Sequence, residues 1–318
     1  EVPAELEAES GDYNGWLSRS WIQEEFIHLD RLPARLSLPR RYSFRYVELK
    51  IIDTSPKWQV VFSNPVVTTE TSADTSSFHP LVLKDEKLQR IYDVGLKTLA
   101  DCMQDVFEDG PKRDRRLWLG DLRIQALANY ATFDNKELVR RCLYLFAGMT
   151  TEEGKISANV FVKPKNIPDD TFLFEYSLFF ISTLYDLNEA HPDIKIVNEL
   201  YPTCKKQMDI TLGMFDQDGK LMVDEDYPVF VDWSNEFNKD TAGQAEAIYV
   251  LKQFIELARL VGEEELDKYE KSLELISSYA RNKLYNSEKK LFVTTGDEYN
   301  IASQVWICLL YTSDAADE

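Results

Sequence analysis

The run Asp109-Gly-Pro-Lys-Arg-Asp114-Arg-Arg-Leu-Trp118-Leu-Gly-Asp121 gathers three carboxylates and one indole within thirteen residues. Asp-Gly-Pro stops a helix, because proline lacks an amide donor and disfavours helical backbone at the residue before it. Asp109 and Asp114 are therefore expected at the mouth of one element, with Trp118 and Asp121 one turn apart on the helix that follows. Such a set suits transfer of a glycosyl group to water. One carboxyl protonates the departing oxygen, others grip hydroxyls, and an aromatic face lies against the sugar ring. The proton donor must keep its proton near neutrality, which carboxylate neighbours and partial burial favour and the charges of Arg113, Arg115 and Arg116 oppose. Alternate arginines are expected to point away and pin the loop to other walls.

Asp232-Trp233 repeats the pairing of carboxylate and indole in a long interruption between helical segments. Glu175, between Phe174 and Tyr176, either lines a cavity or is a buried carboxylate bonded to backbone. The residues alone also permit plainer roles. Asp109 and Asp114 could belong to a solvated ion-pair network, Trp118 and Trp233 to a core, and Asp232 to a helix cap. Asp121 is harder to dismiss, since an unpaired carboxylate inside an apolar helix is costly. His28, His79 and His191 are scattered and support no catalytic relay.

These groups need elements to hold them. Tyr42 to Ile52, Trp58 to Phe62 and Pro65 to Thr71 are rich in Val, Thr and aromatic residues and read as strands, the tail of a β-domain. From about Lys84 the apolar period becomes helical, with helices expected near 85–107, 118–132, 136–149, 171–190, 194–212, 241–261, 263–285 and 300–307. Asp193 and Asp240-Thr241 are N-cap signals, and Gly262 is a stop. The helix over 171–190 is apolar on more than one side, as the inner helices of a layered assembly are. Asp216-Gln-Asp-Gly219 reads as a hairpin turn; later ligand positions do not match a calcium loop.

The 318 residues carry 36 basic and 55 acidic side chains, a net charge of -19, which argues against a nucleic-acid partner. No run of about 18 apolar residues exists, so no membrane insertion is expected. Cys102, Cys142, Cys204 and Cys308 have no paired spacing and are expected as buried free thiols rather than metal ligands or disulfides. The sequence has neither an initiating methionine nor a signal peptide, which leaves export open.

Met103 to Asp121 closely resembles the signature of bacterial α-L-rhamnosidases, the six-hairpin glycosidases. Phe230-Val-Asp-Trp233 and Ser303-Gln-Val-Trp306 resemble later landmarks of the same family, so the similarity runs from about Tyr42 to Ile307. The resemblance implies a mainly α fold, an (α/α)6 six-hairpin barrel of twelve helices preceded by a β-sandwich. Here the barrel would be C-terminally truncated and only the sandwich's tail present. The implied division is a polar segment over 1–41, the end of the sandwich over 42–78 and the barrel over 79–307. Residues 308–318 resemble a translated sequencing-library adapter rather than native protein.

The resemblance further implies removal of terminal α-L-rhamnose, or a related deoxy-hexose, from a glycan or glycoside with inversion and without metal or organic cofactor. By the motif, Asp114 falls at the general acid, where better-known members carry Glu. Asp109 and Asp121 fall at hydroxyl-binding carboxylates and Trp118 at the aromatic wall, with Asp232 and Trp233 as further substrate contacts. The general base falls beyond Ile307, so the 318-residue polypeptide is expected to be inactive. A barrel hydrolase of another sugar, or a non-catalytic carbohydrate-binding barrel, are the alternatives.

Overall fold

The computed structural model describes residues 24–76, 78, 80–112 and 114–312. The chain falls into two units, Glu1–Thr69 with Gly110–Arg115, and Glu70–Asp109 with Arg116–Glu318. In the first unit, Glu25 accepts from the Arg40 guanidinium (2.9 and 2.6 Å) and the Tyr42 hydroxyl (2.8 Å). Arg115 donates to the carbonyls of Pro111 (2.6 Å) and Arg41 (3.0 Å). Among the described residues, the runs expected as strands over 42–71 form no strand or ladder. A strand requires a partner for its amide and carbonyl groups, and Val47, Leu49 and Ile51 stand exposed instead.

The second unit is helical: α1 (Glu86–Cys102), α2 (Leu119–Tyr130), α3 (Lys136–Ala147), α4 (Phe174–Ala190), α5 (Ile194–Leu212), α6 (Asp240–Val261), α7 (Leu266–Tyr279) and α8 (Ile301–Thr312). Short strands β1 (Leu117–Trp118), β2 (Asn159–Phe161) and β3 (Ile167–Pro168) form one antiparallel sheet, β4 (Tyr285–Asn286) and β5 (Leu291–Phe292) another. Local chemistry sets the boundaries. Asp85, Asn135 and Asp193 accept amide protons in the first turns of α1, α3 and α5. Gly262, at φ +72°, closes α6 by donating to the Ala258 and Arg259 carbonyls. Lys239, rather than Asp240, holds the cap position of α6.

Helices α4 and α6 are buried on most of their surface, whereas α1 buries only Leu99 and Cys102 and α7 only Tyr269 and Ile276. Helices apolar all round belong inside, and α2, α4, α6 and α8 do pack side by side, with α3, α5 and α7 against their outer sides. This inner–outer alternation is that of an (α/α)6 barrel, with eight of its twelve helices among the described residues. Gly243 lets the loop before α6 lie against that helix: a Cβ there would sit 2.6 Å from Val229 Cγ2. In that loop Phe215 bridges to Leu221, and the Asp216 carboxylate accepts from the Asp218 and Lys220 amides, the expected hairpin turn.

Several boundaries depart from expectation. Helix α1 ends at Cys102, before the Asp-Gly-Pro break, because Met103, Val106 and Phe107 turn fully into the core. There Gln104 N–H bonds Val106 C=O and Glu108 N–H bonds Cys102 C=O. Trp118 is not inside the next helix: it ends β1, opposite Asn159, and is the N-cap residue of α2. Helix α8 runs past Ile307 to Thr312. Cys102, Cys142 and Cys204 are free and buried as expected, but Cys308 is exposed. Burial pushes the thiols of Cys102 and Cys142 up to about 11 and about 12, which suppresses the reactive thiolate. Among the described residues no helix is long and apolar enough to cross a membrane.

Glu246 is an unexpected core residue. It is 1% exposed on α6 and both carboxyl oxygens lack a hydrogen-bond partner. Burial, and then the charge of Glu175, push it well above the usual carboxylate value of 4.5. A carboxyl raised in this way contributes stability that is present below about pH 4.5 and is lost as the pH climbs towards its folded value. Glu246→Leu should therefore stabilise the fold by about 1–3 kcal/mol at pH 8, with a smaller gain at pH 5. Thermal melts at the two pH values check this; a gain that does not grow with pH would show that the carboxyl is not held neutral.

Candidate active site

Leu117 and Trp118 are drawn into β1 by pairing with β2, which delivers Trp118 half-buried at the head of inner helix α2. Asp121 lies in the first turn of α2, where the helix dipole favours an anion. The facing helix, α4, presents Tyr176, whose ring meets Trp118 edge-on at 6.2 Å and 88°. Gly120 makes that approach possible: a Cβ on it would stand 2.7 Å from the Tyr176 ring. Burial raises the Tyr176 phenol above its ordinary range, and the charges of Asp121, Glu175 and Asp109 add to the effect. The same two aspartates raise the neighbouring Cys102 thiol, behind burial and the charges of Glu108 and Asp101. Trp118 thus meets Tyr176 directly, while Asp109 and Asp121 act on its phenol through their charge.

Backbone bonds fix this end of the motif. Asp109 N–H donates to Arg116 C=O (2.9 Å), and Arg116 N–H returns a bond to Asp109 Oδ1 (3.0 Å). The Arg116 guanidinium then leaves the cluster, lying 4.2 Å over the Phe161 ring and 3.7 Å from Asp169. Arg115 is anchored on the Pro111 and Arg41 carbonyls within its own unit. Arg113 lies outside the described residues. Asp114 occupies a half-buried turn within Gly110–Arg115, the stretch that groups with the N-terminal unit.

The aromatic wall continues beyond Trp118 and Tyr176. Tyr176 meets Phe230 edge-on at 5.9 Å, and Phe230 meets Trp233 edge-on at 5.1 Å. Trp118 and Trp233, predicted separately, are therefore the two ends of one row of four rings. Trp233 is 74% exposed. Asp232 beside it accepts from the Ser234 amide (2.8 Å) and faces the Lys239 ammonium at 3.6 Å. Glu175 takes the second of its two readings: its carboxylate accepts backbone amide protons from Phe230 and Val231.

Sequence reasoning missed Tyr176, Lys239 and the Arg123–Asp186 pair. A glycine directly after the Trp118-Leu119 step was the one available signal for Tyr176, since it leaves space only a facing ring would fill. Indole, phenol and carboxylates arranged in this way can hold a polyhydroxylated ring, with apolar faces on the rings and hydroxyls on the carboxylates. Among the described residues no group of three or more His, Cys, Asp or Glu is placed to hold a metal ion.

Residues 75–309 match the bacterial alpha-L-rhamnosidase six-hairpin glycosidase domain, and residues 1–69 match the glycosyl hydrolase family 78 alpha-rhamnosidase N-terminal domain. A rhamnosidase from Klebsiella oxytoca, solved with rhamnose bound, is 44% identical with a TM-score of 0.87 over 94% of this chain and 58% of that one. The family 78 rhamnosidase of Bacillus sp. GL1 shares the fold at 23% identity and a TM-score of 0.60, over 68% of this chain and 22% of that one. An alpha-L-rhamnosidase of Formosa agariphila is 23% identical over 185 residues, 56% of this chain and 19% of that protein. The chain thus spans a little over half of the first relative and about a fifth of the last.

Proposed function

Because the chain belongs to the bacterial α-L-rhamnosidase six-hairpin glycosidase family, we propose that it is part of an inverting glycoside hydrolase. Its substrate is a glycan or glycoside ending in α-L-rhamnose or a related deoxy-hexose. The observation that carries this reading is the Trp118–Tyr176 wall flanked by Asp109 and Asp121 at the head of an inner helix. A 6-deoxy sugar has a methyl where a hexose has a hydroxymethyl group, so an aromatic wall with carboxylates at its margin suits both its apolar and its hydroxylated edges.

In this reading Asp114 protonates the glycosidic oxygen as the bond to the anomeric carbon breaks. Asp109 and Asp121 accept hydrogen bonds from sugar hydroxyls, and their charge stabilises the oxocarbenium-like transition state. A water activated by a carboxylate on the opposite face completes the inversion. Asp232 and Trp233 serve the substrate at the exposed end of the ring row. Turnover of an aryl α-L-rhamnoside by the full-length protein, followed by NMR, tests the assignment. The expected first product is β-L-rhamnose, the inverted anomer. First appearance of the α-anomer would remove the inverting mechanism, and cleavage of a different glycoside with no rhamnoside turnover would move the substrate assignment.

A further inference from the structure

The turn that carries Asp232 and Trp233 is held in an unfavourable shape by two opposite charges. Val231 has φ +54°, a left-handed value that a β-branched residue rarely adopts. The turn is tight: Asp232 N–H donates to Phe230 C=O at 2.5 Å, two residues back, and three-residue turns of this hand are strained. Nothing in the sequence of the turn favours that conformation, so its stabilisation must come from elsewhere.

It comes from two side chains on different elements. Glu175, on α4 and 1% exposed, accepts from Phe230 N–H (3.1 and 3.0 Å, one to each oxygen) and from Val231 N–H (2.6 Å). Lys239, at the cap of α6, donates its ammonium to Phe230 C=O (2.5 Å) and Asp232 C=O (2.6 Å). Anion on the amides and cation on the carbonyls match the dipoles of the peptide groups they meet, and charged partners make the stronger hydrogen bonds. Two of the ring row's members depend on this arrangement. Tyr176 is the helical neighbour of Glu175, and Phe230 is the residue that both charges grip, with Trp233 resting on its edge.

We propose that Glu175 and Lys239 are positioning residues, a two-charge clamp that holds the Phe230–Asp232 turn so that Trp233 stands ready as a stacking platform for the carbohydrate substrate. The proposal rests on the glycosidase reading for the identity of the ligand, while the clamp itself concerns backbone geometry alone. The charges do not touch the sugar. They fix where the exposed indole points before the sugar arrives, which lowers the ordering needed on binding.

Two measurements on the full-length protein separate the parts. In hydrogen exchange, Glu175→Gln and, independently, Lys239→Met are expected to speed exchange at residues 229–233 at least about tenfold, with the peptides of α4 and α6 unchanged. Exchange at the turn that stays at the wild-type rate in both variants overturns the clamp whatever the enzyme's substrate. In steady-state kinetics on an aryl α-L-rhamnoside, each variant should raise KM several-fold and leave kcat within about threefold. In a Trp233→Ala background the same changes should add almost nothing to KM, because the residue they act through is gone. Full additivity, or a loss confined to kcat, refutes action through Trp233. A wild-type protein silent on rhamnosides would sink the substrate reading instead, and the exchange arm would still decide the clamp.

Discussion

Asp114→Asn is expected to lower kcat/KM for an alkyl α-L-rhamnoside by about 10²- to 10⁴-fold, the range that loss of a general acid produces. Asparagine keeps the shape and the acceptor oxygen of the side chain and removes the proton it can give. The loss should depend on the leaving group. A dinitrophenolate departs without help, so the variant should approach wild-type rates on that aglycone while remaining slow on the alkyl one. This graded response distinguishes a proton donor from a residue that merely shapes the loop, whose removal would slow every aglycone alike. Asp109→Asn provides the contrast. It disturbs the bond from Arg116 N–H and, under the proposed function, weakens grip on a hydroxyl, so its cost should be similar for both leaving groups. A flat response at Asp114 would transfer the acid role to another carboxyl.

Much of the scaffold behind this test is legible in the sequence, because helix signals are local. The caps at Asp193 and Gly262 and the all-round apolar surface of α4 depend on residues within a few turns of one another. The departures are the non-local features. Whether Val47, Leu49 and Ile51 pair depends on what lies opposite them, which no local pattern states. Helix α1 stops where Met103, Val106 and Phe107 find a better hydrophobic contact than another helical turn offers, so tertiary burial overrides the proline signal that follows. At the candidate site the motif residues were visible as types and spacing, yet Tyr176 and Lys239 were not. Each acts from an element distant in sequence, on a ring or a carbonyl whose position only the packed fold defines. Glu175 shows the same limit from the other side: its sequence context allows two roles, and only the amides of Phe230 and Val231 choose between them.

The second large effect should come from a pair that touches neither motif. Arg123 on α2 donates through Nε to Asp186 on α4 at 2.9 Å and through Nη2 to the Tyr249 hydroxyl on α6 at 3.1 Å. Its guanidinium also lies 5.7 Å from the Phe179 ring centre and 5.5 Å from that of Tyr249. One cation thus ties three successive inner helices, with 14% of its own side chain and 12% of Asp186's left exposed. Burial raises the Asp186 carboxyl above its ordinary range, outweighing the pull of Arg123. The pair is therefore a poor net stabiliser but costly to break. Asp186→Leu strands a buried guanidinium and should cost about 3–5 kcal/mol, a fall in Tm on the order of 10 °C for a domain of this size. Replacing both partners, Arg123→Met with Asp186→Leu, removes the charge together with its counter-charge and should restore most of that loss, or exceed wild type. Thermal melts of the two single variants and the double variant measure the coupling directly. If the double variant melted no higher than the worse single one, the pair would be supplying packing specificity between α2, α4 and α6 that apolar side chains cannot replace.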